Sequence, residues 1–298
     1  MLHNDKDKFI KIIEFVQKQT RLTNTALVEK DYYLTLILSK INTLNDNLIF
    51  KGGTCLNKIY YSYFRLSEDL DFSMELPSDN ITRSIRSKAM QSTKENIGEY
   101  IESFGLRLDK TVNPGRNENK QYVFMVNYDS VVTGKTGTIK LEIGLRFNPL
   151  LKAVKRKVNH NFIEPLTNKV LIDTGEIKCL DLKEAVAEKL RAAAGREIIA
   201  PRDFYDLDYL IRNNFNIIDP EVLALFKKKT IEDYTETESK WKGLPHYAHN
   251  LGRTAKEITD MRLRISDELY DVLSLKEREN FNIDDALTRI NKLFKNIS

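Results

Sequence analysis

Two cysteines, Cys55 and Cys179, are all that 298 residues contain, too few for a disulfide framework or a cysteine-rich zinc site. A reducing compartment fits. Histidine is nearly as scarce: His3, His160, His246 and His249 are scattered, and only the last two are close enough in sequence to share a metal. With no second ligand pair in view, a surface or structural role is the expectation for them. Long apolar runs are also missing. Stretches such as Tyr32–Leu38 fall well short of the roughly 20 apolar residues that span a bilayer. The N-terminal MLHNDKDKFIKIIEFVQ lacks the uninterrupted core of a signal peptide. A soluble, cytoplasmic protein without a membrane partner is therefore expected. No repeat or low-complexity tract is visible.

What is present reads as an ordinary folded chain, 41% hydrophobic and 30% charged, which excludes the disordered class. The formal net charge of +4 is compatible with a nucleotide or nucleic-acid partner without demanding one. Apolar spacing predicts helices over 6–19 and 25–41, the second capped by Asn24. The texture then changes. Asn47–Phe50 reads as a strand closed by Gly52-Gly53, 55–63 as a helix, and 69–74 as an alternating strand. Residues 80–103 read as a helix. Strands 121–128 and 136–147 flank a glycine turn, as in a hairpin. From Asp181 onward helices are expected over 181–195, 202–212, 219–230, 254–275 and 283–296. The first half is thus α/β (α+β) and the second helical. The domains are placed at 1–170 and 171–298.

Asp69 and Asp71 are two residues apart on a strand and project from one face. Glu142 sits between apolar residues on a later strand, where an unpaired carboxylate is costly. Three carboxylates on neighbouring strands suit Mg²⁺, which prefers hard oxygen ligands and can serve phosphoryl transfer. Gly52-Gly53-Thr54 precedes the pair. Glycines let backbone approach a phosphate, and the following helix N-terminus offers N–H groups to an anion. Each part alone has an ordinary explanation, a solvated strand face or a plain turn. Their conjunction in this order is more specific. Cys55 has no evident base and is not read as a nucleophile. Phe204, Tyr205, Tyr209 and Leu210 read as core.

The stretch Phe50-Lys-Gly-Gly-Thr-Cys-Leu-Asn-Lys58, followed by Arg65-Leu-Ser-Glu-Asp-Leu-Asp-Phe72, resembles the first motif of the AbiEii/AbiGii-type toxin nucleotidyltransferases, in the DNA polymerase β-like nucleotidyltransferase superfamily. Val28-Glu-Lys-Asp-Tyr-Tyr33, Lys140-Leu-Glu-Ile-Gly144, Glu188-Lys-Leu-Arg-Ala192 with Arg196, and Arg202-Asp-Phe-Tyr-Asp-Leu207 resemble the family's remaining motifs. The spacing from Gly53 to Asp69 is longer than in the wider superfamily, and the last 90 residues carry no motif. The resemblance implies a minimal nucleotidyltransferase fold with a short mixed sheet and a helical C-terminal domain. It implies transfer of NMP from an NTP to an acceptor, RNA such as a tRNA 3′ end, within a toxin–antitoxin or phage-defence (abortive infection) system with a cognate antitoxin encoded nearby. Mg²⁺ would be held by Asp69, Asp71 and Glu142. The nucleotide would meet Gly52, Gly53, Thr54, Arg65, Ser67, Lys189, Arg196 and Arg202. Asp203 and Asp206 would orient the acceptor, take its proton or hold Lys189. Glu29, Lys30 and Asp31 are expected to brace the fold. Two alternatives stay open: a catalytically silent NTP-binding module and a small-molecule, antibiotic-type nucleotidyltransferase.

Overall fold

The computed structural model describes residues 1–61, 63–77, 81–232 and 241–297, and the chain divides into two units, Met1–Leu180 and Asp181–Ser298. The first is a mixed sheet with helices; the second is helical. Among the described residues no helix is long and apolar enough to cross a membrane.

The first unit opens with the helix Lys6–Thr20, capped by Asp5, whose stripe Phe9, Ile12, Ile13 and Val16 is buried. Asn24 caps the next helix, Thr25–Ser39, by accepting from Leu27 N at 3.2 Å. This helix is buried almost all round, so it shows no clean stripe. The strands follow as β1 (Leu48–Lys51), β2 (Leu70–Met74), β3 (Arg107–Leu108), β4 (Gly115–Arg116), β5 (Gln121–Asp129), β6 (Thr136–Gly144), β7 (Val154–Lys157) and β8 (Glu176–Cys179). Their order is β3-β5-β6-β2-β1-β8-β7, with β4 on β5. β5 and β6 form the expected hairpin, β2 runs parallel to β6, and β1 runs parallel to β8. One face is apolar, with Phe50, Leu70, Phe72, Leu141 and Ile143 buried.

Several expectations shift. Asp69 lies just before β2 rather than within it. The stretch read as a helix over 55–63 is a short α-turn, Gly52–Cys55, passing into a π-helical turn, Leu56–Tyr60, and position 62 lies outside the described residues. The helix expected over 80–103 begins outside the described residues and is two helices, Arg83–Ala89 and Gln91–Glu102. β7 and β8 went unrecognised, and β8 pairs with β1, so the sheet unit runs to Leu180 rather than stopping at 170.

The π-turn carries a buried polar knot. Lys58 is fully buried, its Nζ 2.7 Å from Asp31 Oδ1 and donating to Thr35 Oγ1 at 2.8 Å. Tyr63 donates to Asp31 Oδ2 at 2.6 Å. Burial pushes the Lys58 pKa down against the opposing pull of Asp31. The wider winding frees carbonyls, and Asn159 N donates to Lys58 O at 2.8 Å. Glu29, buried, accepts from Ser130 Oγ and, at 2.8 Å, from Val131 N, while Lys30 reaches Glu68 at 3.0 Å. All three acidic-basic residues of the 28–33 stretch are thus tied into the fold.

In the second unit Asp181 caps Leu182–Gly195, and Pro201 starts Pro201–Arg212 where its missing N–H costs nothing. Pro220–Glu232 and Ile283–Lys295 follow, the latter burying Ile283, Ala286, Leu287, Ile290 and Phe294 along one stripe. The single helix expected over 254–275 is broken. A capping box of Thr254 and Glu257 starts Ala255–Leu263, a short turn Ile265–Glu268 follows, and Ser274 caps a new helix, Leu275–Asn280. Apolar spacing alone did not register these internal caps.

Candidate active site

In the sheet unit, register does what sequence spacing could only suggest. Asp71 in β2 is the Cα partner of Glu142 in β6 on one side and of Lys51 in β1 on the other. Residues paired in register lie on the same face, so Lys51, Asp71 and Glu142 form a row across three strands. Asp69 and Lys140 stand on that face one step along, opposite in direction to the apolar Leu70 and Leu141. The polar face carries the chemistry and the other face the core.

Gly52 adopts φ +78, and a β-carbon there would stand 2.5 Å from Asp71 Oδ2. Two constraints thus coincide at one residue, a left-handed backbone and a carboxylate in the space a side chain would fill. Gly52→Ala is expected to cost about 1–2 kcal/mol from the backbone alone and to displace Asp71. Urea unfolding and a transfer assay on the same preparation measure both effects. A β-carbon on Gly53 would run into the guanidinium of Arg65. Arg65 is buried and donates to Leu66 O at 2.8 Å, so it sits behind the glycine turn. Thr54, also buried, donates to the carbonyl of Asp69 and pins the turn to the start of β2. Ser67 is half-buried. Cys55 and Cys179 are buried free thiols.

The carboxylates share a cation that sequence reading passed over. Lys140 Nζ lies 3.5 Å from Asp69 Oδ2 and 3.3 Å from Glu142 Oε2. Burial would lower its pKa, but Asp69, Glu142 and Asp71 outweigh that and hold it above its ordinary value. Asp71 is pushed up by burial, then by Glu142, against the pull of Lys51 and Lys140. A lysine alternating with a glutamate on a strand reads as surface charge, so only the register exposes Lys140 and Lys51 as neighbours of the acids.

Among the described residues no three His, Cys, Asp or Glu groups are already gathered to hold a metal ion. The donor set still suits a hard divalent cation. It consists of carboxylate oxygens, and one of them, Asp71, titrates high because its charge lacks compensation.

In the helical unit Lys189 and Asp203, Asp206 and Arg196 come together. Lys189 Nζ is 3.1 Å from Asp203 Oδ1 and 2.7 Å from Asp206 Oδ2, and Arg196 Nε is 2.9 Å from Asp203 Oδ2. Both aspartates and Lys189 are buried; Arg196 is half-exposed. Arg202 is exposed. The helical spacing suggested an Arg202–Asp206 pair; Asp206 turns to Lys189 instead, the nearer buried charge. Phe204, Tyr205 and Leu210 are core, and Tyr205 donates to Glu277 at 2.9 Å. His246 and His249 belong to no metal-binding group.

A family described as "Nucleotidyl transferase AbiEii toxin, Type IV TA system" matches residues 36–296. The chain belongs to the AbiEii nucleotidyltransferase toxin family. Members of that family are nucleotidyltransferase toxins of type IV toxin–antitoxin systems, which implies an antitoxin partner for this AbiEii chain as well. No curated protein matches it. Among solved structures it is similar to MenT4, a nucleotidyltransferase toxin from Mycobacterium tuberculosis H37Rv, with TM-score 0.57 and 17% identity over 93% of this chain and 98% of that one. It also matches JHP933 from Helicobacter pylori, with TM-score 0.47 and 17% identity over 93% of each chain. The MenT4 likeness establishes the mixed-sheet nucleotidyltransferase fold of the AbiEii chain.

Proposed function

We propose that this AbiEii toxin transfers a nucleoside monophosphate from an NTP to an RNA acceptor such as a tRNA 3′ end. The observation that carries the reading is the row of acids, Asp71 against Glu142 with Asp69 beside them, packed against the glycine at position 52. In the proposed reaction an acceptor hydroxyl forms a bond to the α-phosphorus. The bond from that phosphorus to the β-phosphate bridging oxygen breaks, pyrophosphate leaves, and the hydroxyl proton passes to the carboxylate cluster. Asp69, Asp71 and Glu142 would hold Mg²⁺, which when bound would offset the negative charge of the triphosphate.

The chain's own residues then have these parts. Gly52 and Gly53 leave backbone open to the phosphates. Thr54, Arg65 and Ser67 act through the turn they support. For the helical unit the proposal assigns phosphate contacts to Lys189, Arg196 and Arg202, with Asp203 and Asp206 keeping the Lys189 ammonium charged and aimed. Incubation with labelled NTPs, Mg²⁺ and total RNA tests the reading. Wild type is expected to label RNA and Glu142→Gln to fail. Equal labelling by both removes Glu142 from the mechanism, and labelling of protein or a small molecule instead of RNA replaces the acceptor.

Lys140 gives a separate expectation. Its ammonium occupies the space between Asp69 and Glu142 that a metal would compete for. Removing a half-exposed charge pair at this range is worth about 1 kcal/mol, so Lys140→Met is expected to lower the metal concentration giving half-maximal turnover by about fivefold. A rise in that concentration would mean that Lys140 serves the substrate.

A further inference from the structure

The helical unit contains a cavity of about 750 Å³, lined at the C-terminal end of Leu182–Gly195 by Arg191 and Arg196 and, from beyond Pro220–Glu232, by Lys242, Tyr247 and Arg253. That volume is within the range of small-molecule sites. Four cationic side chains line it against two carboxylates, Glu197 and Glu257. Glu257 is already committed, accepting from Thr254 N at 2.9 Å and Thr254 Oγ1 at 2.8 Å in its capping box and from Arg253 Nη1 at 2.8 Å. Its pKa is held low, first by the Thr254 backbone bond. The wall is therefore left with an excess of positive charge.

Arg253 separates this wall from an ordinary solvated charged surface. It is only 8% exposed, and its Nε is locked on Ala193 O at 2.7 Å. Its Nη2 has no acceptor among the described residues. A buried guanidinium nitrogen without an acceptor is costly, and such groups call for an explanation. An anion in this cavity would relieve the charge of the whole wall. Tyr247, packed edge-on to Phe226 and tilted against Trp241 with ring centroids 5.1 and 5.2 Å away, adds an aromatic side to it.

We propose that this cavity is a phosphate-binding site that receives a phosphate group of the acceptor. Guanidinium binds phosphate oxygens through paired donors, and the aromatic wall suits an adjoining base. This deepens the transfer reading above and rests on it for the identity of the ligand. Two sources share the chemistry, a free nucleotide and the phosphodiester backbone of RNA.

The test uses the full chain and a short single-stranded RNA bearing a fluorophore, followed by anisotropy over a salt series. Arg191→Glu and Lys242→Glu are the variants, because Arg253 is tied into the fold. Each is expected to weaken RNA binding about tenfold at low salt and to reduce the slope of log K against log salt by about one. Lys242→Arg is expected to behave as wild type. Competition by inorganic phosphate or AMP at the same concentration as by unlabelled RNA identifies a single-phosphate site, and competition by RNA alone identifies the backbone; both support the proposal. Unchanged affinity and slope in the two charge reversals overturn it. Mg²⁺–NTP binding by calorimetry is measured alongside. If wild type binds RNA but no NTP, the transfer reading fails while the phosphate site stands.

Discussion

Asp71→Asn is expected to abolish nucleotidyl transfer, by at least about 10³-fold, while raising the melting temperature of the metal-free protein. The two effects have one cause. Asp71 is pushed up in pKa by burial and by Glu142, so its charged form is disfavoured in the folded state relative to the unfolded chain. A folded pKa above the unfolded value means the native state binds the extra proton. Stability is then lost as pH rises from the unfolded value through the folded one, and the deficit persists at neutral pH. The amide carries no charge and escapes it, so a gain of a few degrees is expected without metal. Transfer fails because a neutral amide in the row between Lys51 and Glu142 cannot supply the charge expected to hold Mg²⁺, a contribution of several kcal/mol to the transition state. Differential scanning calorimetry at pH 7 in chelator, with a radiolabel transfer assay on the same sample, tests both. A lower melting temperature with activity intact would show that Asp71 is a structural acid.

The carboxylate face was legible because strand alternation needs only local spacing. Two residues between Asp69 and Asp71 fix a shared side, and apolar neighbours mark Glu142 as a residue that needs a partner. Which cations join them depends on register between strands distant in sequence. Nothing within a few residues of Lys140 or Lys51 signals that β2 lies between β1 and β6. β3 and β4 are two residues long and β7 and β8 four, too short to carry a period-two pattern, and their pairings are non-local. The break after Leu263 hid for a related reason, because Ser274 and Thr254 cap within a stretch whose apolar spacing runs on. Helices with a buried stripe and an outer cap, such as Lys6–Thr20 and Ile283–Lys295, were the readily recognised elements.

Lys58 shows where burial overrules sequence texture. In a run read as a helix, a lysine is ordinarily assigned to the wet side; here it is fully buried with its ammonium between Asp31 and Thr35. Lys58→Met is expected to destabilise the protein by about 3–5 kcal/mol, because it strands the Asp31 carboxylate in the interior. That is a large part of the 5–15 kcal/mol typical of a domain. A second substitution, Asp31→Asn, removes the stranded charge while leaving an oxygen for the Tyr63 hydroxyl. The double variant is therefore expected to recover at least half of the loss, and the cycle of two single variants and the double isolates the pair. Urea denaturation monitored by circular dichroism gives all four values. A single-variant cost below about 1 kcal/mol would mean that water reaches the pair and the knot adds little. The consequence reaches the site through the backbone. The π-turn that carries Lys58 continues directly from Gly52–Cys55, and its carbonyl is the acceptor for Asn159 N. Releasing the lysine frees that turn to rewind, and Gly52 is then no longer held in the conformation that leaves room for Asp71. Lys58→Met is thus expected to lose transfer activity at temperatures where circular dichroism still reports a folded chain.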